Sequence, residues 1–261
     1  MYFDFSKSSM SIAQLKAKMR GSLNIIWING WIESIPRHGL GNFDLIISTG
    51  VLHHLKNPQK GLSMLNDIQF EHGGAKYMVY GKYGRTGVYQ VQELLRSINQ
   101  ESHSIEDEIN NANGILEILP VKHWFHHLIF LDTEVFGNGG IYDLLLHKRD
   151  VSYSIRELHT WLQNGGYTFV DFTQSYDRTN LSLKGRKLKA LKLLYKKLLK
   201  MNICTQHRIS EVIWGRVFKQ DFYASKQRNF QTNTSTHQNI GYANKYHMTL
   251  RDGMNNKQVS A

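Results

Sequence analysis

The stretch FDLIISTGVLHHLKNPQKGLSMLNDIQFEHGGAKYMVYG, Phe43 to Gly81, decides the fold. After Asp44 it runs apolar through Ile47 and then passes into the small residues Ser48, Thr49 and Gly50. A short run of this kind reads as a strand buried on both faces, as in a parallel sheet. Asn57 stands just ahead of Pro58, a capping side chain before a ring that suits the first helical turn. Leu62, Leu65 and Ile68 follow on one helical face. Gly73 and Gly74 read as the end of that helix, and Ala75 to Tyr80 as the next strand. Strand, crossover helix and strand make up the repeating unit of an α/β sheet.

Working outward, Tyr2 to Phe5 is a short strand and Ser8 or Ser9 caps a helix running to about Arg20, stopped at Gly21. Asn24 to Ile28 reads as a further strand. Downstream, Gly87 to Ile98 is helical, whereas 99–150 is irregular: an acidic, Asn-rich piece, Glu101 to Asn113, is followed by VKHWFHHLIF at 121–130. That region reads as an insertion or lid. Ser154 and Glu157 form a capping box opening a helix that ends near Gly165, and Tyr167 to Phe172 is a strand. Leu188 to Met201 is a basic amphipathic helix, and Val217 to Ala224 a last edge strand. From Lys226 onward Asn, Gln, Ser and Thr dominate, as in a disordered tail. The expected organisation is a core over 1–98, the insertion over 99–150, the remainder of the fold over 151–225 and the tail over 226–261.

With 261 residues the chain accommodates one substantial α/β domain. Its single cysteine, Cys204, excludes an internal disulfide and makes no zinc site alone. The opening MYFDFSKSSM lacks a basic region followed by an apolar one, and no apolar run approaches the ~20 residues of a membrane span. The expected location is intracellular and cytoplasmic. Net charge is +11, but eight Lys/Arg lie between Lys184 and Lys200, and removing those eight leaves +3. The basicity belongs to one helix rather than to the body of the protein.

In order, spacing and residue type, Phe43 to Gly81 resembles the second half of a class I, Rossmann-like S-adenosylmethionine-dependent methyltransferase domain. The resemblance implies a mostly parallel sheet with helices on both faces, S-adenosylmethionine as cofactor and methyl transfer to an O, N or C nucleophile, with a small molecule as the acceptor. FDFSKSSM resembles the end of the family's second strand. On that basis Asp4, with Ser6 in the turn after it, binds the ribose hydroxyls; a carboxylate at a strand's carboxyl end can accept both hydrogen bonds of a vicinal diol. Asn29, Trp31 and Ile32 follow the third strand, where the family places its adenine contacts. Trp31 takes the position of an acid in many members. Ser48, Thr49 and Gly50 then face the methionine part of the cofactor.

The family's Gly-rich turn, an acid followed by GxGxG after the first strand, belongs about twenty residues before Asp4. GNGG at 137–140 follows no convincing strand. The expectation is therefore a fold lacking its first strand and Gly-rich turn. Strands two and four lose their shared neighbour, and each unsatisfied buried backbone group costs on the order of 1–3 kcal/mol. Two outcomes are open: a truncated chain, or direct pairing of those two strands.

Several side chains carry a chemical reading beside a structural one. His53 or His54 can serve as a general base, or simply orient the loop. His123, His126 and His127 share a helical face, but with no nearby cysteine they read as a packed lid rather than a metal site. Tyr80, Tyr83 and Arg85 follow the fifth strand, where a substrate enters; Arg85 is either a carboxylate or phosphate ligand or a solvated surface residue. Leu188, Leu191, Leu194, Leu198 and Met201 form the apolar stripe of the basic helix, which packs on the core. The alternative function is a non-catalytic module using 184–200 to bind a partner, RNA or an anionic membrane.

Overall fold

The computed structural model describes residues 1–102, 104–127, 133–173 and 192–227. Its strands are β1 (Tyr2–Asp4), β2 (Trp27–Asn29), β3 (Phe43–Thr49), β4 (Gln69–Gly81), β5 (Ser152–Tyr153), β6 (Thr168–Phe172) and β7 (Lys219–Ser225). Its α-helices are α1 (Lys7–Met19), α2 (Pro58–Asp67), α3 (Thr86–Ile98), α4 (Ile105–Ile118), α5 (Thr133–Ile141), α6 (Ile155–Asn164), α7 (Lys192–Leu199) and α8 (Ile203–Trp214).

The strands form two sheets. β1 and β2 pair in parallel around the crossover helix α1. The larger sheet has the order β3-β4-β7-β6, with β5 also paired to β4. β3, β4 and β5 are parallel, and β7 runs antiparallel to both its neighbours. The mixed α/β architecture agrees with the sequence reading. Direct pairing between β1 and β3 does not occur: among the described residues each has one strand partner, β2 and β4 respectively.

Local chemistry accounts for the boundaries. The side chain of Ser6, rather than Ser8 or Ser9, caps α1 by accepting from Ser9 N. Asn57 caps α2 through Lys60 N, and the Ser154–Glu157 capping box opens α6. Three further expectations are corrected. The α2 helix ends at Asp67, and Gly73 and Gly74 lie inside β4, where the register against β3 shifts between Phe43 and Leu45. A Cβ on Gly73 would crowd the Phe43 and Asp44 carbonyls, so this glycine serves strand approach rather than helix termination. The last strand, β7, is interior rather than an edge.

The third correction concerns β3. Ile46 and Ser48 face the core, but Leu45 is 49% and Ile47 61% exposed, so the strand is covered on one face only. Its apolar run reflects two faces, of which the described helices cover one.

The main core joins the sheet to α2 and α6 through Ile46, Leu62, Tyr77, Val79, Leu158 and Phe222. A buried hydroxyl relay crosses it: Tyr77 donates to Tyr167, 2.9 Å, and Tyr167 donates to Gln69 Oε1, 2.7 Å. A second core packs α3 against α4 and the segment Tyr142–Leu146, with Val88, Leu95, Ala112, Phe125 and Leu144 buried. The region read as irregular thus contains the regular helix α4, and its packing ties it to α3. Of the basic stretch, α7 is described, with Leu198 buried and Leu194 half-exposed; Leu188, Leu191 and residues 174–191 generally lie outside the described residues, as does the tail from 228. No helix among the described residues is long and apolar enough to cross a membrane.

Candidate active site

The residues singled out from the sequence fall into two groups, each at the carboxyl ends of parallel strands. The first closes the end of β1 and β2. Asp4 Oδ1 accepts from Ser6 N, 2.8 Å, and Oδ2 from the Tyr2 hydroxyl, 3.0 Å. Asn29 Nδ2 donates to the carbonyls of Asp4 and Phe5 at 2.9 and 3.0 Å, so the two strand ends are tied together. Trp31 stacks on Phe5, with ring centroids 4.5 Å apart and planes 15° from parallel, and both rings are largely exposed. Ile32 turns inward and packs on the main core. The sequence reading missed Phe5. The residue following the acid on β1 was the available signal.

The second group lies where β3 and β4 end. Gly50 has φ +75°, a left-handed turn, and its N–H donates to Met78 O at 3.2 Å. Thr49 is exposed, while Ser48 is buried with its Oγ lacking a partner. Beyond the turn, His53 is fully buried and neither ring nitrogen has a hydrogen-bond partner. Its ring lies 3.9 Å from that of Tyr80 and 4.2 Å from that of His54. Burial first, and then the neighbouring His54, Arg85 and His147, push its pKa down to about 2. His54 is only half-buried. Its Nδ1 lies 2.8 Å from Arg149 O, and since a carbonyl only accepts, Nδ1 carries the proton and Nε2 the free lone pair. Burial lowers the His54 pKa, against the raising effect of the Arg149 carbonyl.

Arg85 corrects one reading. It is not a surface residue: its side chain is fully buried and paired with Asp150, Nη2 to Oδ2 2.5 Å. Tyr89 donates to Asp150 Oδ1 at 3.2 Å and Gln92 to Oδ2 at 3.1 Å. The guanidinium lies 3.6 Å from the Tyr80 ring centroid and 4.7 Å from that of Phe218. Tyr80 is buried within this stack and its pKa is raised to about 12, chiefly by burial. Tyr83 is exposed in the turn Tyr83–Arg85. His147, Arg149 and Asp150 were not anticipated. They come from a loop far along the chain that folds back over the β3 and β4 ends, where Val151 N donates to His53 O at 3.1 Å and the His147 ring lies 4.0 Å from that of His54.

His123 accepts from Phe125 N, and Trp124–His127 is a 3₁₀ turn. No cluster of three metal-ligating side chains exists among the described residues. GNGG at 137–140 lies within α5, which kinks at Gly137.

With this geometry in view, known proteins place the fold. Residues 1–69 match the family described as a methyltransferase domain. PKMT2 from Rickettsia typhi, solved in complex with AdoHcy, superposes with a TM-score of 0.63 at 15% identity, covering 88% of this chain and 45% of that one. Another structure of the same protein gives 0.61 at 14% identity, covering 89% and 45%. A curated relative, an uncharacterized protein of Synechococcus sp., is 25% identical over 182 residues, covering 65% of this chain and 42% of its own length. The chain thus spans less than half the length of these relatives. The likeness to these solved structures is one of fold, and β1 through α2 carry the segment matched to a methyltransferase domain.

Proposed function

We propose that this chain is the part of an S-adenosylmethionine-dependent methyltransferase that holds the nucleoside end of the cofactor and the acceptor. The observation that carries this reading is Asp4, a carboxylate fixed at the carboxyl end of a parallel strand by Ser6 N and Tyr2. Its remaining lone pairs can accept both ribose hydroxyls. The Trp31–Phe5 pair presents aromatic faces for adenine, beside Asn29 and Ile32. The partnerless Ser48 Oγ, with Thr49 and the turn at Gly50, suits the polar end of the methionine group. The residues present therefore fit the cofactor.

When bound, the cofactor supplies an electrophilic methyl group on a sulfonium. The protein's share is to align an O, N or C nucleophile of a small molecule with it and exclude water. His54 Nε2 is placed to accept a proton from the acceptor. His53, depressed to about 2, is too weak a base for that role and packs the floor beneath Tyr80. Arg85 acts through Tyr80, since its own charge is neutralised by Asp150.

Calorimetric titration of the folded chain with S-adenosylhomocysteine tests the reading. Micromolar binding lost in Asp4→Ala supports it. A folded chain that binds nothing overturns it.

A further inference from the structure

The methyl-transfer reading makes no use of α7 and the turn into α8. On α7, Leu198 is buried at 7% exposure, whereas Leu193 is 80% exposed. Leu193, Lys196, Lys197 and Lys200 stand at i, i+3, i+4 and i+7, and therefore share the side turned away from Leu198. Leu199, at the end of α7, and Ile203, at the start of α8, are further exposed apolar side chains, at 55% and 53% exposure. Between Lys192 and Arg216 the one acid is Glu211. It is buried and already accepts from Ile155 N and Gln220 Nε2, so it offers the lysines no counter-charge.

Aliphatic side chains interleaved with lysines suit one kind of surface better than others. Phosphates of a nucleic acid attract the lysines but gain nothing from exposed leucines. The boundary of an anionic bilayer takes both: lysines reach the headgroups while leucines enter the acyl margin. We propose that α7 and the start of α8 dock on an anionic lipid bilayer, with Leu193, Leu199 and Ile203 entering the headgroup boundary and Lys196, Lys197 and Lys200 meeting lipid phosphates.

Co-sedimentation of the full chain with vesicles tests this. Equimolar phosphatidylserine and phosphatidylcholine should retain the protein, pure phosphatidylcholine should not, and added salt should release it. Each of Lys196→Gln, Lys197→Gln and Lys200→Gln should weaken retention by about fivefold. Leu193→Ser with Leu199→Ser should weaken it by about tenfold, with an unchanged thermal melt showing that the fold persists. Absence of retention by a folded chain overturns the proposal. So does equal binding to a single-stranded RNA that falls with the lysine variants and ignores the leucine pair, which would mark a polyanion surface instead.

Discussion

His54 donates its Nδ1–H to the carbonyl of Arg149 at 2.8 Å, which fixes the ring as one tautomer with Nε2 unprotonated. Nitrogen-15 NMR of the histidine rings at neutral pH should show one ring protonated at Nδ1, titrating below the ordinary histidine value because burial dominates. His54→Ala should remove that signal. A ring protonated at Nε2 would eliminate His54 as the proton acceptor.

His53 predicts a pH dependence of stability. Its folded pKa, about 2, lies below the unfolded 6.5, so the unfolded chain takes up a proton that the native one refuses. Stability is complete above 6.5 and is lost as pH falls below it, by about 1.4 kcal/mol per pH unit. Urea melts of a Glu211→Gln chain between pH 5 and 6.5 should show this slope, and adding His53→Phe should flatten it.

Glu211 works in the opposite direction. Burial raises its pKa to about 7, so the native state holds a proton between 4.5 and 7 that the unfolded chain releases. Its contribution is present below 4.5 and lost as pH rises to 7, a change of up to about 3 kcal/mol. Between pH 5 and 6.5 it offsets most of the His53 slope. Glu211→Gln should therefore uncover the His53 slope, leaving the chain more stable at pH 7 than at pH 5, and an unaltered pH profile would show that the carboxylate is accommodated as a charge.

Breaking the Arg85–Asp150 pair should be costly. Asp150→Ala leaves a buried guanidinium uncompensated and should lower unfolding free energy by about 3–5 kcal/mol. Arg85→Met with Asp150→Leu should recover much of that loss, because no charge then remains to be solvated. Denaturant midpoints of the three chains decide it.

The elements that local chemistry determines were readable in advance. Asn57 and Pro58 place the start of α2, and Ser154 with Glu157 that of α6, because caps act within one turn. Positions fixed by distant partners were not. Val217 to Ala224 looks like any edge strand until β4 and β6 pair on either side of it. Arg85 looks solvated until Asp150, sixty-five residues later, is folded against it. The same holds for the candidate site: Asp4, Ser48 and the two adjacent histidines lie at strand ends and can be nominated by position, whereas His147 and Arg149 arrive on a loop with no local signature.

The division into two sheets has a consequence for affinity. Among the described residues no backbone ladder joins β1 and β2 to the larger sheet, and that pair is attached by side chains such as Phe3 and Ile32 resting on the main core. A unit attached in this way opens at a free energy of its own, below that of global unfolding. Every ligand held by Asp4 and Asn29 must then meet the part of the population in which the unit is closed, and its apparent dissociation constant rises as that fraction falls. On the proposed reading, the strength of the nucleoside grip is governed as much by how firmly Phe3 and Ile32 are seated as by the hydrogen bonds at Asp4.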